Sequence, residues 1–200
     1  MTAAPFVPAD ATVDQLAAAA GCTGCPLYQD TTGTVFGEGA GQPRLMLVGE
    51  QPGDQEDRQG HPFVGPAGGV LWGCLRDAGI ERDDVYTTNA VKHFKFELRG
   101  KRRIHQRPTT VEVEACHPWL SAELAAVGPR GIVALGATAA RSVLGRTASI
   151  AKQRWTPLEA HGRPVFVTYH PSAVLRGDEQ AAEIRAALVE DLRAAWAATA

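Results

Sequence analysis

The five residues Lys101-Arg102-Arg103-Ile104-His105 set an imidazole, a candidate nucleophile, at the end of a cationic run. A neutral imidazole is nucleophilic and a protonated one is not, so a histidine with this task needs a base beside it. The run lies in a wider window, residues 92–107, holding Lys92, Lys95, Arg99, Lys101, Arg102, Arg103 and Arg107 against a single acid, Glu97. That window is formally +6, and because the whole chain is −2 the remainder sums to −8. One cationic segment on an acidic body implies that a polyanion is met at one place. A solvated surface loop suits the same composition.

Other residues offer partners for such a nucleophile. Glu50-Gln51-Pro52-Gly53-Asp54 carries two carboxylates around a proline-stiffened turn, with Gly53 allowing backbone to approach a ligand. The alternative is an acidic turn in which Asp54 or Asp57 caps a helix. Phe63, among turn formers, is either a stacking platform for a base or a ring packed under its own loop. The amide of Asn89 can donate and accept at once, as reading a pyrimidine edge requires, and it equally suits a satisfied turn. His170, in His170-Pro171-Ser172, can donate to an oxygen gaining negative charge, or serve structure alone. Cys22 and Cys25 form a C-x-x-C pair, which outside an oxidising compartment points to metal or redox chemistry before a disulfide.

The elements that must position these residues follow from periodicity. Four β-rich runs, residues 44–49, 85–91, 131–136 and 164–170, alternate with helical patterns. Val70, Leu71, Cys74, Leu75 and Ala78 share one helical stripe, which makes Cys74 a small core hydrophobe. Val113, Cys116, Leu120 and Leu124 form a second stripe, residues 136–144 a short helix, and Ile184, Leu188, Leu192, Ala195 and Trp196 a C-terminal face. The expected fold is α/β: a three-layer αβα sandwich around a mostly parallel four-stranded sheet, in one domain over residues 1–200. Ligands of such sheets sit at the carboxyl ends of the strands, where Glu50, Asn89, Gly136 and His170 all fall. Residues 92–109 read as a long connection with little helix or strand character.

Composition narrows the classes. Hydrophobic residues at 44% and charged residues at 21% are ordinary for a soluble globular chain, and a pI of about 6.3 gives no chain-wide nucleic-acid signal. No apolar run approaches the roughly 20 residues of a membrane span. Leu16 to Cys22 looks faintly like a signal segment, yet no Lys or Arg precedes Arg44. Residues 12–20 are therefore expected as a short Ala-rich helix in a cytoplasmic protein with no membrane partner.

Taken in order, Gly49-Glu50-Gln51-Pro52-Gly53, Thr88-Asn89-Ala90-Val91-Lys92 and His170-Pro171-Ser172 resemble the motifs of the uracil-DNA glycosylase superfamily, above all its iron–sulfur group. The resemblance runs from Cys22 to the C-terminal helix. Within the group, Gln51 and the K-R-R-I-H run look like the branch known as UdgX, which becomes covalently attached to DNA after removing uracil. The resemblance implies that Phe63 stacks on the base, Asn89 reads its polar edge, and His170 stabilises charge on O2 as the base leaves. His105 then attacks C1′ in place of water, with Glu50 orienting and deprotonating it. Gln51 and Asp54 shape the pocket, Gly53 and Ser172 lie beside the substrate, and Arg103 holds the loop or a phosphate. Lys101 and Arg102 attract the DNA backbone. Implied partners are uracil-containing DNA, single-stranded by preference, and free uracil as product, with the protein a monomer.

The same resemblance implies a [4Fe–4S] cluster on Cys22, Cys25, His93 and Cys116, with His93 standing where the group has a cysteine. Its role would be structural, pinning the segment at about residues 12–30 to the base of the cationic loop. On donor chemistry alone Cys₃His also suits zinc. Three rival readings remain open: a conventional turnover glycosylase, a non-catalytic DNA-binding module, and a redox C-x-x-C protein, the last without a thioredoxin-like context.

Overall fold

The structure, a computed structural model, describes residues 1–18 and 21–200. In chain order these form α1 (Val13–Ala18), β1 (Glu38–Gly39), β2 (Leu45–Gly49), α2 (Asp54–Gln59), α3 (Pro66–Ala78), β3 (Val85–Asn89), β4 (Phe96–Arg99) and β5 (Arg102–His105). There follow α4 (Thr110–Val127), β6 (Gly131–Leu135), α5 (Ala137–Leu144), α6 (Ile150–Gln153), β7 (Leu158–Ala160), β8 (Arg163–Thr168), α7 (Ser172–Arg176) and α8 (Ala181–Ala198). The N-terminal helix covers Val13–Ala18 of the span expected to be helical; residues 19 and 20 lie outside the described residues.

Strand order is β1-β3-β2-β6-β8-β7. The four expected strands are there and parallel to one another. The sheet is wider than four strands, because β1 and β7 add short antiparallel edges. Each edge is two or three residues long, too short to show an alternating pattern in the sequence. Alternation along β2 explains the three layers: Leu45 and Leu47 face α3 and α8, whereas Met46 and Val48 face α4 and α5. Both faces are covered, so every residue of β2, β3 and β6 is buried. Each fully buried Leu or Val there contributes about 1.5–3 kcal/mol.

The largest departure from expectation is at residues 92–109. Instead of an irregular connection, the segment forms an antiparallel hairpin pairing Phe96 with His105 and Arg99 with Arg102. Gly100, at φ +60°, supplies the left-handed turn residue. The hairpin buries no face in the core, so its strands lack the buried, β-rich runs that mark the central ones. It ends where Thr109 and Glu112 cap α4 reciprocally: the Thr109 hydroxyl accepts from the Glu112 N–H (3.3 Å), and Glu112 accepts from the Thr109 N–H (2.6 Å).

Candidate active site

The rim at the carboxyl ends of β2, β3, β6 and β8 gathers most of the residues singled out in the sequence. Gly49 ends β2 opposite Asn89, which ends β3. A Cβ at Gly49 would come within 2.8 Å of Phe63 Cζ and closer still to Asn89 Oδ1. Only glycine lets the aromatic edge and the amide meet there. Phe63 itself is held at φ +54°, and its carbonyl accepts a hydrogen bond from Trp72 Nε1 (3.0 Å). Across the rim, Gly136 at φ +89° lies against the His170 Cβ, 3.1 Å from where its own Cβ would stand.

His170 has a defined tautomer. Its Nδ1 accepts the Ser172 backbone N–H (3.2 Å) and sits 2.8 Å from Ser172 Oγ, which itself accepts from Arg176 Nη1 (3.0 Å). The neutral ring therefore carries its proton on Nε2. Burial pulls the His170 pKa down to about 4, helped by the nearby Arg176 and His105 charges. At neutral pH the ring is an uncharged N–H donor. Ser172 is thus a partner of the histidine ring.

His105, at the end of β5, places Nε2 3.6 Å from Glu50 Oε1. Its side chain is half exposed and that of Glu50 is 21% exposed, so the pair opens to solvent on one side. Burial lowers the His105 pKa from its ordinary value; the Glu50 carboxylate opposes the shift and Arg176 adds to it. The other Glu50 oxygen accepts a hydrogen bond from the Thr138 hydroxyl and lies 3.6 Å from Arg107 Nε. Arg107 Nε in turn donates to Thr138 Oγ1 (3.2 Å). Thr138 and Arg107 were not among the sequence candidates. Thr138 follows β6 at the start of α5, on the same rim, and topology alone could have flagged it.

The remaining sequence candidates hold the hairpin. Gln51 Nε2 donates to the carbonyls of Lys95 (3.2 Å) and Gln106 (3.0 Å), and its Oε1 accepts the Lys95 N–H (3.0 Å). All three bonds go to the hairpin's two roots. Arg103 donates from Nε to Asp54 Oδ1, from Nη1 to Asp57 Oδ2 (2.5 Å) and from Nη2 to the Asp54 carbonyl (3.3 Å). Its guanidinium also lies over the Phe96 and Phe94 rings, 5.0 and 5.5 Å from their centroids. Asp54 and Asp57, one helical turn apart on α2, point the same way and grip one arginine. Gly53 is the N-cap of α2, its N–H bonded to Glu56 Oε2 (3.1 Å). Lys101 and Arg102, at the hairpin tip, are exposed.

One basic residue is misplaced by a charge count. Lys92 is fully buried, its ammonium paired with the equally buried Glu123 and bonded to Thr88 Oγ1 (2.7 Å) and the Asn89 carbonyl (2.7 Å). Glu123 also accepts from Gly37 N–H (2.8 Å), Tyr86 O–H (3.2 Å) and Thr88 O–H (3.0 Å). A glutamate between Leu120 and Leu124 on the buried stripe of α4 is the sequence signal of this pair.

Cys22, Cys25, His93 and Cys116 are all buried near where the N-terminal segment packs on α4; Cys74 is buried in the core beneath α3. The Lys92 N–H points at Cys116 Sγ (3.3 Å) and the Gly24 N–H at Cys22 Sγ (3.5 Å). Burial pushes the Cys116 thiol up to about 12, with Cys25 and Cys22 close enough to add to the shift. His93 Nε2 lies 3.4 Å from Thr34 Oγ1, while its buried Nδ1 has no hydrogen-bond partner. Three thiols and an imidazole with an unused nitrogen fit a metal group by donor chemistry. A single zinc needs its donors about 2.0–2.3 Å from one centre. Among the described residues no three His, Cys, Asp or Glu side chains are gathered to hold one ion.

With this geometry in place, the chain matches the family model described as the uracil DNA glycosylase superfamily over residues 36–193. The chain belongs to that superfamily. It is similar to the type-4 uracil-DNA glycosylase of Thermotoga maritima, 41% identical over 176 residues that cover 87% of each chain. The type-4 uracil-DNA glycosylase of Pyrobaculum aerophilum is 38% identical over 163 residues, 78% of this chain and 80% of the relative. That of Archaeoglobus fulgidus is 37% identical over 162 residues, 77% and 78% of the two chains. The expected superfamily fold is the one observed, with the family match covering the sheet strands β2, β3, β6 and β8 that carry the rim. No helix among the described residues is long and apolar enough to cross a membrane.

Proposed function

We propose that the protein excises uracil from DNA, preferably single-stranded, and captures the abasic sugar on His105. The observation that carries this reading is the His105–Glu50 pair: an imidazole whose pKa partial burial lowers, 3.6 Å from a carboxylate, on a hairpin bolted over the rim. The type-4 names of the relatives support the glycosylase half of it.

In this reading a uracil turned out of the strand stacks on Phe63 with its polar edge toward Asn89. The N1–C1′ bond breaks, and its electron pair moves onto the base, where the Nε2–H of His170 donates to the developing O2 charge. C1′ gains oxocarbenium character. A lone pair of the His105 ring forms the new N–C1′ bond. The ring proton passes through Glu50 to the departing base, so free uracil and a neutral alkylated imidazole result. Thr138 and Arg107 hold Glu50 in place. Gln51, Asp54 and Arg103 act as positioning residues by fixing the hairpin, and Lys101 and Arg102 attract phosphates. Gly53 starts the helix that carries Asp54, and Ser172 fixes the His170 tautomer.

A [4Fe–4S] cluster on Cys22, Cys25, His93 and Cys116 would act as a structural pin between the N-terminal segment and the hairpin root. We take the chain to work as a monomeric single domain in the cytoplasm. A conventional turnover glycosylase, with water at C1′, is the second reading, favoured by the type-4 names of the relatives.

Incubation with a uracil-containing single strand, followed by a denaturing gel, separates the two. Covalent capture predicts a retarded protein–DNA band, absent with thymine and absent in His105→Ala. Many uracils released per protein without a band would select turnover, and a band surviving in His105→Ala would remove His105 as nucleophile.

A further inference from the structure

Trp155 follows α6 and is 66% exposed, an unusual state for an indole. It is not loose. The Arg154 guanidinium lies 3.9 Å from the centre of the ring and covers one face. Arg154 is itself fixed by bonds from Nε to Asp191 Oδ2 (3.0 Å) and from Nη2 to the Ala187 carbonyl (3.0 Å), both on α8. The Asp191 carboxylate also accepts from buried Thr168, the last residue of β8. The same guanidinium lies 5.4 Å from the ring of Tyr169, the residue before His170. A rigid chain of side chains thus connects the open indole face to the base-handling end of β8.

We propose that Trp155 is a stacking platform for an unpaired base next to the extracted nucleotide. The proposal rests on the reading of the rim as a DNA site and adds a subsite to it. A ring with a fixed cation on one face and solvent on the other presents a single flat surface for a nucleobase, whatever its identity. Two exposed cations, Lys152 on α6 and Arg176 at the end of α7, suit the strand's phosphates. Arg176 also donates to Ser172 Oγ, the hydroxyl beside His170 Nδ1. Stacking demands a base free of its complement, which makes the platform a source of single-strand preference.

The test is equilibrium binding of the wild type, Trp155→Ala and Trp155→Phe to a single strand with thymine in the uracil position, so that no chemistry intervenes. A second strand of equal length and charge carries abasic sugars throughout. Trp155→Ala should weaken binding to the base-bearing strand roughly tenfold or more, and Trp155→Phe by less. On the base-free strand all three should bind alike. Equal affinity of wild type and Trp155→Ala for the base-bearing strand would overturn the proposal, as would an equal loss on both strands. Should the alanine variant not fold, quenching of wild-type tryptophan fluorescence by the base-bearing strand decides. Quenching that disappears in Trp155→Phe supports the platform, and undiminished quenching in that variant rejects it. Uracil release is measured separately: a protein that shows the base-dependent loss but never frees uracil retains the platform and refutes the glycosylase.

Discussion

Lys92 and Lys101 stand nine positions apart in one basic segment and have opposite fates. Lys92 lies at the root, sealed with Glu123 beneath the rim, where every charge has a partner. Lys101 sits at the hairpin tip in water. Between them, Lys95 pairs with Glu112 (2.8 Å) just before the hairpin begins. Arg103 braces the hairpin from within, through Asp54 and Asp57. These three cations build the footing on which His105 stands, while Lys101 and Arg102 face outward. The same residue types thus serve architecture at one end and a polyanion at the other. What separates them is whether an acid is folded against them.

The root should be the more fragile end. Lys92→Met leaves the Glu123 carboxylate buried without its cation, a loss of about 3–5 kcal/mol by the usual cost of breaking a buried pair. Urea unfolding should show the midpoint falling with an unchanged slope. A variant as stable as the wild type would mean that Glu123 takes up a proton or finds another donor at little cost. The paired change Lys92→Met with Glu123→Leu should recover part of the loss, because it removes both charges.

The hairpin should fail in function before it fails in stability. Arg103→Ala removes the clamp on Asp54 and Asp57 and frees His105 to wander from Glu50. A misplacement of about 1 Å costs on the order of 100-fold in rate, so adduct formation should slow by about that factor. The fold, with its core elsewhere, should lose far less than in Lys92→Met. Equal losses of rate and stability would make the clamp a general structural brace.

Much of this division was legible. Short β-rich runs marked the four central strands, and strand ends marked the rim, because a covered parallel sheet leaves both patterns in the chain. The hairpin was not legible, since Arg103 and Gln51 hold it through contacts distant in sequence. Gln51 shows the limit most clearly. The resemblance gave it a part in shaping the pocket, and only the structure shows that its amide bonds to Lys95 and Gln106. Spacing locates a side chain on an element; it does not say which neighbour the amide will meet.

Acid should sharpen the contrast further. Burial lowers the pKa of His105 and brings that of His170 to about 4, so both rings stay neutral below the ordinary histidine value of about 6.5. Adduct formation should therefore hold steady as pH falls through 6.5 and decline only at more acid values, as His105 takes up a proton. The stability effect has the same sign. Between about pH 6.5 and pH 4 the unfolded chain binds a proton at residue 170 that the folded one refuses, so acid favours unfolding there. A rate profile with its midpoint at or above about 6.5 would deny His105 its sheltered environment.

The smallest effect belongs to the tip, and it is the one that charge counting alone would get wrong. Removing a cation that meets a phosphate should reduce the slope of log affinity against log salt by about 0.7 for a single strand. Lys101→Ala and Arg102→Ala should each do so, with little change in stability, because both side chains are exposed. Lys95→Ala removes the same formal charge from the same segment, yet its ammonium is bonded to Glu112 and releases no counterion on binding. Its salt slope should stay near that of the wild type. If all three substitutions lowered the slope equally, the strand would be sensing the net charge of the segment, and the separation of root from tip would have no bearing on DNA affinity.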